Sequence, residues 1–326
     1  MADPILSVRD LTVEFPTRHG ILTALSGVSF DIMPGEVLGV VGESGAGKSM
    51  TGSAVIGLID RPGRIAKGEI HLQGERIDNL PEERMRGVRG KRIGMIFQDP
   101  LTSLNPLYRI SEQIVETIRT HLPLSKEAAR AKAVGLLDRV GIPDAARRID
   151  DYPHQFSGGM RQRVVIALAL CAEPDLVIAD EPTTALDVSV QAQIIDVMKE
   201  LCAETGAAIM LITHDMGVIA ETADRVAVMY AGRIAEIGPV RAVIKDAKHP
   251  YSAGLMGAIP RMSADLERLV QIPGAMPRLS AIPPGCPFNP RCPHVFDRCL
   301  THRPAASEIE PGRRVACWLY PGVQEA

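Results

Sequence analysis

A glycine-rich loop between a strand-like run and a helix-like run constrains the fold of this 326-residue chain more than any other feature. The segment EVLGVVGESGAGKSM contains the spacing Gly42-x-x-x-x-Gly47-Lys48-Ser49 directly after an apolar run. Glycines let backbone N–H groups converge on phosphate oxygens, and the N-terminus of the following helix adds positive potential. Lys48 is expected to reach the β- and γ-phosphates of a nucleotide, and the Ser49 hydroxyl to help hold Mg²⁺. The loop therefore predicts a nucleotide-binding site.

Strand-like and helix-like runs alternate along the first two-thirds of the chain. Period-2 alternation is clearest over residues 11–15, and strand-like runs return in DLVIADEP, AAIMLITH and RVAVMYAG. Between them, from about residue 99, apolar residues recur at helical spacing behind Ser125, a predicted N-cap. The pattern predicts an α/β fold with a mostly parallel, helix-covered sheet and a helical insertion over about residues 99–158.

The composition shifts after Gly238-Pro239, where proline becomes frequent and cysteines follow. We therefore place a domain boundary near residue 240. This predicts a nucleotide-binding domain over residues 1–240 and a cysteine-containing C-terminal extension over residues 241–326.

The overall composition limits the classes of partner. A hydrophobic content of 46% and a charged content of 23% are ordinary for a soluble globular protein. The net charge of −3 gives no reason to expect a nucleic-acid partner. The longest apolar run, residues 164–172, is far shorter than the ~20 residues that span a bilayer, and the N-terminus lacks the features of a signal peptide. We expect a cytosolic chain whose membrane role, if any, comes through a partner.

Two neighbouring carboxylates follow a strand-like run in LVIADEP. At the end of a strand in a phosphate-loop fold, Asp180 is placed to bind Mg²⁺, directly or through water. Glu181, one residue on, points differently and is expected to act as the general base that polarises the attacking water. The alternative is that both acids simply mark a solvated strand end.

A second phosphate-binding element distinguishes this chain among phosphate-loop proteins, which include kinases, helicases and transport ATPases. In QFSGGMRQR, the residues Ser157-Gly158-Gly159 precede a helical run and so form another helix N-terminus suited to anions. IFQDP with Gln98 lies before this segment, and ALD with Asp187 and ITHD with His214 lie after it.

These motifs, in their order along the chain, resemble the nucleotide-binding subunit of an ATP-binding cassette (ABC) transporter. The resemblance covers about residues 5–240 and implies a P-loop NTPase fold with a RecA-like core, an antiparallel β subdomain and the helical insertion. It makes Gln98 the Q-loop, Ser157-Gly158-Gly159 the signature and Asp187 the D-loop. His214 is then the γ-phosphate switch. Met160 departs from the family, because many relatives carry glutamine there.

The resemblance also implies that two such domains dimerise head to tail, with each ATP between the phosphate loop of one and the signature of the other. Phe15 falls where the family stacks an aromatic ring on adenine, and a core phenylalanine is the alternative at this position. The ATP-binding residues implied are Phe15, Gly42, Ser44, Gly45, Ala46, Gly47, Lys48, Ser49, Met50 and Gln98. The Mg²⁺ ligands implied are Ser49, Gln98 and Asp180.

Within the family, IFQDPLTSLNP, ADEPTTALDVSVQAQI and the C-terminal HPYSAGLMGAIP resemble the dipeptide and oligopeptide importer ATPases. The resemblance is greatest to the first of the two ATPase subunits in dipeptide importers, and nickel importers are close relatives. It implies as partners two transmembrane permease subunits, a second homologous ATPase and an extracytoplasmic peptide-binding protein. The chain is then expected to lie peripherally on the cytoplasmic face of the cell (inner) membrane. A soluble cassette ATPase acting on DNA or the ribosome is an alternative.

Four cysteines are concentrated in the extension with the spacing Cys286-x5-Cys292-x6-Cys299-x17-Cys317. Disulfides do not persist in a reducing cytosol, and thiolates bind Zn²⁺ or iron–sulfur clusters. Structural zinc usually shows closer Cys pairs. The peptide-importer ATPases that the chain resembles imply a [4Fe-4S] cluster here, while zinc, free scaffold thiols and a redox sensor that gates transport are alternatives. Cys171 and Cys202 fall in helical patterns and are predicted to be small core residues.

Overall fold

The protein is described by a computed structural model over residues 3–183, 188–257 and 271–326. Its strands within these ranges are β1 (Leu6–Thr17), β2 (Gly20–Ile32), β3 (Val37–Val41), β4 (Arg64–Leu72), β5 (Glu75–Arg76), β6 (Ile93–Ile96), β7 (Leu176–Asp180), β8 (Ala208–Ile212), β9 (Arg225–Tyr230), β10 (Arg233–Pro239), β11 (Ser307–Glu310) and β12 (Arg313–Val315).

The α-helices within the same ranges are α1 (Lys48–Val55), α2 (Glu82–Val88), α3 (Pro100–Ser103), α4 (Ile110–His121), α5 (Lys126–Arg139), α6 (Ala145–Arg148), α7 (Gly158–Leu170), α8 (Val188–Thr205), α9 (Met216–Thr222), α10 (Val240–Lys245), α11 (Pro250–Gly257) and α12 (Asp297–Thr301). Short 3₁₀ helices cover Pro153–Gln155, Leu279–Ala281 and Asn289–Arg291.

The chain divides into two compact units, and the first consists of residues 1–6, 32–36 and 79–211. In this unit β6 pairs in parallel with β7, and β8 lies on the other side of β7. Every residue of β7 and β8 is buried. Strands covered on both faces read as continuous apolar runs, which is why these segments lack period-2 alternation. The predicted parallel strands are confirmed for this pair.

The predicted helical insertion is also confirmed, because the elements between β6 and α7 are α3 to α6 and a 3₁₀ helix. Ser125 caps α5 as predicted, since its side chain accepts a hydrogen bond from the Ala128 N–H at 3.2 Å. Ile110, Ile114 and Ile118 form the buried stripe of α4 at helical spacing. None of the helices in the described ranges is both long enough and apolar enough to cross a membrane.

The second unit consists of residues 7–31, 37–78 and 212–326 and contains two sheets. One has the strand order β2-β1-β4-β5, and residues 11–14 of β1 alternate buried and half-buried positions in the period-2 pattern that the sequence predicts. The other contains the run β11-β12-β10-β9-β3, in which β3 and β9 are parallel and β10 pairs antiparallel with both β9 and β12. The predicted domain boundary near residue 240 falls between β10 and α10 and stays a prediction.

A buried ion pair joins the extension to β10. Arg313 donates to the Oε1 of Glu236 from Nη2 at 2.7 Å and from Nε at 3.1 Å. The Arg313 and Glu236 side chains are only 3% and 0% exposed. The same carboxylate accepts hydrogen bonds from the backbone N–H groups of Lys248 and His249. Glu236 therefore fixes both β12 and the start of α11.

Removing this carboxylate charge is expected to destabilise the protein. In Glu236→Gln the Arg313 guanidinium stays buried and keeps only the half-exposed Glu310 as a counterion, which costs at most about 3–5 kcal/mol. The measurement is the midpoint of urea unfolding. The control is Glu69→Gln, which removes a half-exposed partner of Arg76 and should leave the midpoint nearly unchanged. Equal midpoints for the two variants would contradict this role of Glu236.

Candidate nucleotide-binding site

The phosphate loop lies between β3 and α1 in the second unit. Gly42, Gly45 and Gly47 all have positive φ, at 152°, 82° and 102°. A Cβ atom built on Gly42 would lie 2.3 Å from the backbone oxygen of Met229, so no side chain fits there. The Gly47 residue is the N-cap of α1, which begins at Lys48. The glycines that the sequence singled out are therefore required by the loop's own geometry.

Lys48 bonds to the loop that precedes it. Its side chain is buried, and Nζ donates to the carbonyl oxygens of Gly42 at 2.9 Å and Glu43 at 3.2 Å. The ammonium group is thus held over the backbone where phosphates are expected. The remaining loop positions differ in exposure: Ser44, Gly45 and Ser49 are exposed, Met50 is half-buried and Ala46 is buried.

Two further predicted residues belong to the same unit. Phe15 lies on β1, is half-buried, and packs so close to Gly63 that a Cβ there would lie 2.6 Å from its Cε1 atom. His214 follows β8 and is exposed. Hydrogen bonds hold the turn that carries His214: the N–H of Asp215 donates to Thr213 Oγ1 at 3.0 Å, and the Asp215 carboxylate caps α9.

The first unit carries the predicted carboxylates and Gln98. Asp180 is the buried last residue of β7, and Glu181 turns the chain with a positive φ of 46°. The Nε2 of Gln98 donates to the Oε2 of Glu181 at 3.1 Å. Parallel strands end at the same edge of a sheet, which explains why residues after β6 and β7 meet. The structure thus brings Gln98 and Glu181 together.

The signature segment also lies in the first unit and forms the N-terminus of α7. Ser157 is the N-cap, and its Oγ accepts a hydrogen bond from the Met160 N–H at 3.3 Å. Ser157 and Gly158 are exposed and Gly159 is half-buried, so the positive end of α7 is accessible. Asp187 lies outside the described residues.

The four extension cysteines are buried or half-buried and carry free thiols. Burial, and then the neighbouring charges of Cys317, Cys299 and Cys292, raise the pKa of Cys286 to about 12. Burial likewise raises the pKa of Cys317 to about 11. The expected [4Fe-4S] cluster finds no support in this geometry, because no group of three or more His, Cys, Asp or Glu side chains in the described ranges is arranged to hold a metal ion.

The other two cysteines lie in the first unit. Cys171 and Cys202 are buried in the core, as the helical patterns predicted, and burial raises the pKa of each to about 12.

Comparisons with known proteins identify the family of this chain. The ABC transporter family profile matches residues 25–184, and the profile of the C-terminal region of oligopeptide and dipeptide transporters matches residues 235–299. The oligopeptide transport ATP-binding protein OppD of Escherichia coli is 50% identical over 97% of this chain and 94% of its own length. The chain belongs to the ABC transporter ATP-binding proteins. The dipeptide transport ATP-binding protein DppD of Bacillus subtilis is 47% identical over 97% of this chain and 95% of its own.

The chain spans about half the length of some relatives. OppD of Mycobacterium bovis is 50% identical over 96% of this chain, which corresponds to 52% of the M. bovis protein. Among solved structures, the dimeric ATP-binding cassette MJ0796 bound to ADP and Pi matches with a TM-score of 0.66 and 27% identity, over 72% of this chain and 99% of that one. The predicted fold class, an ABC-type P-loop ATPase fold, is confirmed.

Sequence reasoning missed two residues that this ABC cassette places at the loop. Glu43 was one of the unassigned positions of the loop motif, and Arg291 stood unremarked among the cysteines and prolines. They form an ion pair, 2.6 Å between Arg291 Nη1 and Glu43 Oε2, in which the guanidinium is buried and the carboxylate half-buried. The only signal in the sequence was a charged residue inside each of two motifs, and nothing in either motif links them.

The Gly42 contact leads to a stability prediction for the nucleotide-free protein. In Gly42→Ala the new Cβ must displace the backbone of Met229, whereas a Cβ at Gly45 meets nothing within 4 Å. Both positions have positive φ, so both variants share a conformational cost of about 1–2 kcal/mol. We expect Gly42→Ala to lower the melting temperature well beyond Gly45→Ala. Equal melting temperatures would show that the contact with Met229 is relieved without cost.

Proposed function

We propose that this chain is the ATP-hydrolysing subunit that energises import of di- and oligopeptides through an ABC transporter, bound peripherally to the cytoplasmic face of the cell membrane. The names of the E. coli and B. subtilis relatives and the match to the peptide-transporter C-terminal region support this substrate class. The proposed partners are two transmembrane permease subunits, a homologous second ATPase and an extracytoplasmic peptide-binding protein.

The hydrogen bond between Gln98 and Glu181 is the observation that carries the hydrolytic assignment. It holds the Glu181 carboxylate in contact with a side chain that can respond to its protonation, at the ends of two strands that are almost entirely buried. Glu181 acts as the general base for the attacking water. Gln98 reports this step to the helical insertion that begins directly after it, and so to the permease.

The other predicted residues bind and polarise the nucleotide. The loop N–H groups and Lys48 hold the β- and γ-phosphates, and Phe15 stacks on the adenine. Ser49, Asp180 and Gln98 would hold Mg²⁺, which supplies charge neutralisation at the transferred phosphoryl group.

His214 contacts the γ-phosphate in this proposal. Ser157, Gly158 and Gly159 present the exposed N-terminus of α7 to the ATP of the partner ATPase. Asp187 of the D-loop stays a prediction.

Replacing Glu181 by glutamine tests the catalytic role. In the transporter assembled with its permease subunits, Glu181→Gln should lower ATP turnover by about 10²–10⁴-fold while ATP still binds, because only the base is lost. Uptake of labelled di- and oligopeptide by vesicles should stop with it.

Glu173→Gln, on an exposed carboxylate that pairs with Lys132, is the control and should change neither rate. Normal turnover by Glu181→Gln would exclude Glu181 as the base. Uptake of nickel in place of peptide would favour the alternative importer class, and turnover without any uptake would favour a soluble cassette ATPase.

We also propose that Cys286, Cys292, Cys299 and Cys317 ligate an iron–sulfur cluster when the protein matures. The support is chemical: behind the larger effect of burial, Cys317, Cys299 and Cys292 contribute to the raised pKa of Cys286, so they lie within electrostatic range of it, and thiolates are the usual ligands of such clusters. Because ligation requires thiolates, a cluster must displace the protons that burial now favours. No step of hydrolysis depends on it.

Iron and acid-labile sulfide on protein purified without oxygen test this assignment. A [4Fe-4S] cluster gives about four of each per chain, and Cys299→Ser should lower both. The Cys171→Ser/Cys202→Ser double variant is the control, since those core cysteines should leave the content unchanged. Zinc in place of iron, or no metal at all, would remove the cluster from the proposal and leave the ATPase assignment standing.

A further inference from the structure

Arg291 of the extension forms a two-pronged ion pair with Glu43 of the phosphate loop. Its side chain is 4% exposed. Nη1 donates to Glu43 Oε2 at 2.6 Å, and Nη2 donates to Glu43 Oε1 at 2.9 Å. Glu43 directly follows Gly42 inside the loop. Two parallel charge-assisted hydrogen bonds fix both groups in orientation as well as distance, which a single contact cannot do.

The guanidinium of Arg291 is also held by hydrogen bonds within the extension itself. Its Nε donates to the carbonyl of Pro273 at 2.8 Å, and Nη2 also reaches the carbonyl of Ile272 at 3.4 Å. The rings of Tyr230 and Phe288 have their centroids 5.8 and 5.9 Å from its Cζ. The hydrogen bonds to Glu43 raise the pKa of Arg291 despite burial, so the group keeps its charge.

The backbone of Glu43 is held as firmly as its side chain. Its N–H donates to the hydroxyl of Tyr251 at 2.8 Å, and Tyr251 is fully buried in the extension. Its carbonyl accepts hydrogen bonds from Ala46 N at 3.1 Å and from Lys48 Nζ at 3.2 Å. Glu43 is therefore the residue at which the extension and Lys48 meet.

The ion pair also neutralises a negative charge that would oppose phosphate binding. Glu43 places a negative charge in a loop whose backbone is arranged to bind phosphate oxygens. Uncompensated, that charge would repel a triphosphate, and the repulsion would be strong because the surroundings are partly buried. Arg291 cancels it.

We propose that Arg291 and Tyr251 are positioning residues of the nucleotide site, through which the C-terminal extension completes the phosphate loop. They set the conformation of Glu43, and so orient the carbonyls that hold Lys48, while Arg291 neutralises the Glu43 charge. The inference rests on the proposed binding of ATP by this loop. It gives the extension a role in nucleotide binding that is independent of its cysteines.

The test is the affinity of the full chain for fluorescent mant-ATP with Mg²⁺. Arg291→Met leaves Glu43 charged and unpaired, and should raise the Kd about tenfold. The double variant Arg291→Met/Glu43→Gln removes the charge as well, and should return to within about threefold of the parent. Arg291→Lys keeps the positive charge but loses the two parallel N–H donors, so its Kd should lie between those of Arg291→Met and the double variant.

A second readout separates a charge effect from general loosening. The Kd for mant-AMP should rise less in Arg291→Met than the Kd for mant-ATP, because repulsion from Glu43 grows with the number of phosphates. Equal increases for the two nucleotides, with no recovery in the double variant, would overturn the electrostatic part of the proposal.

Arg314→Met is the matched control. It removes the same atoms from a half-buried arginine that, like the buried Arg291, joins the extension to the cassette, here through a hydrogen bond to the Ser29 carbonyl at 2.9 Å. Its Kd should stay within about twofold of the parent, since it touches no loop residue. A rise equal to that of Arg291→Met would overturn the proposal, because any loosening of the extension would then explain both.

Tyr251→Phe keeps the proposal testable if Arg291→Met fails to fold. It deletes only the hydroxyl that accepts the Glu43 N–H, and should weaken ATP binding severalfold; unchanged affinity would overturn the role of Tyr251. Lys48→Ala distinguishes failure of the proposed ATP binding by the loop from failure of the positioning role of Arg291. ATP binding that survives Lys48→Ala would remove the loop from the proposed function, whereas loss in Lys48→Ala with parental affinity in Arg291→Met would reject only the positioning role.

Discussion

The phosphate loop depends on one steric constraint, the close approach of Gly42 to the backbone oxygen of Met229 on β9. A loop that packs directly on the neighbouring parallel strand has little freedom, and its remaining turns follow from positive φ at Gly45 and Gly47. Lys48 then bonds to carbonyls of the same loop. The loop is thus organised by its own chain, which lowers the ordering cost of binding a nucleotide.

The segment His249-Pro250-Tyr251 shows how the extension reaches this loop. Burial lowers the pKa of His249 to about 4, so the imidazole is neutral near pH 7 and its Nδ1 accepts a hydrogen bond from the Tyr251 N–H at 3.0 Å. The His249 N–H in turn donates to Glu236 at 2.9 Å. Tyr251 packs edge-on against Tyr230, with ring centroids 4.6 Å apart, which aims its hydroxyl at Glu43. The neutral imidazole of His249 accepts the Tyr251 N–H, and the buried Tyr251 presents its hydroxyl to the Glu43 N–H. These two roles explain why a histidine and a tyrosine occur in this short segment.

Local sequence signals predicted much of the site because the chemistry lies within a few residues. The caps at Ser125 and Ser157 and the glycines of the loop each depend on their immediate neighbours. The contact between Gln98 and Glu181 needed only the further rule that parallel strands end at one edge. The pair of Glu43 and Arg291 is different, since 248 residues separate its members. No periodicity or spacing encodes such a contact, and it depends on how the proline-rich chain folds back.

The cysteine segment and the Arg291 contact are parts of one small structure. Arg291 ends the 3₁₀ helix Asn289–Arg291, and the Asn289 side chain donates to the carbonyls of Pro284 and Cys299 at 3.0 and 3.2 Å. The backbone of Cys286 pairs with that of Cys299 at 2.9 Å. The turn that presents Arg291 is therefore tied to the chain that carries the thiols by backbone and amide hydrogen bonds. Hydrogen bonds between groups of the chain itself therefore hold the turn that positions Arg291.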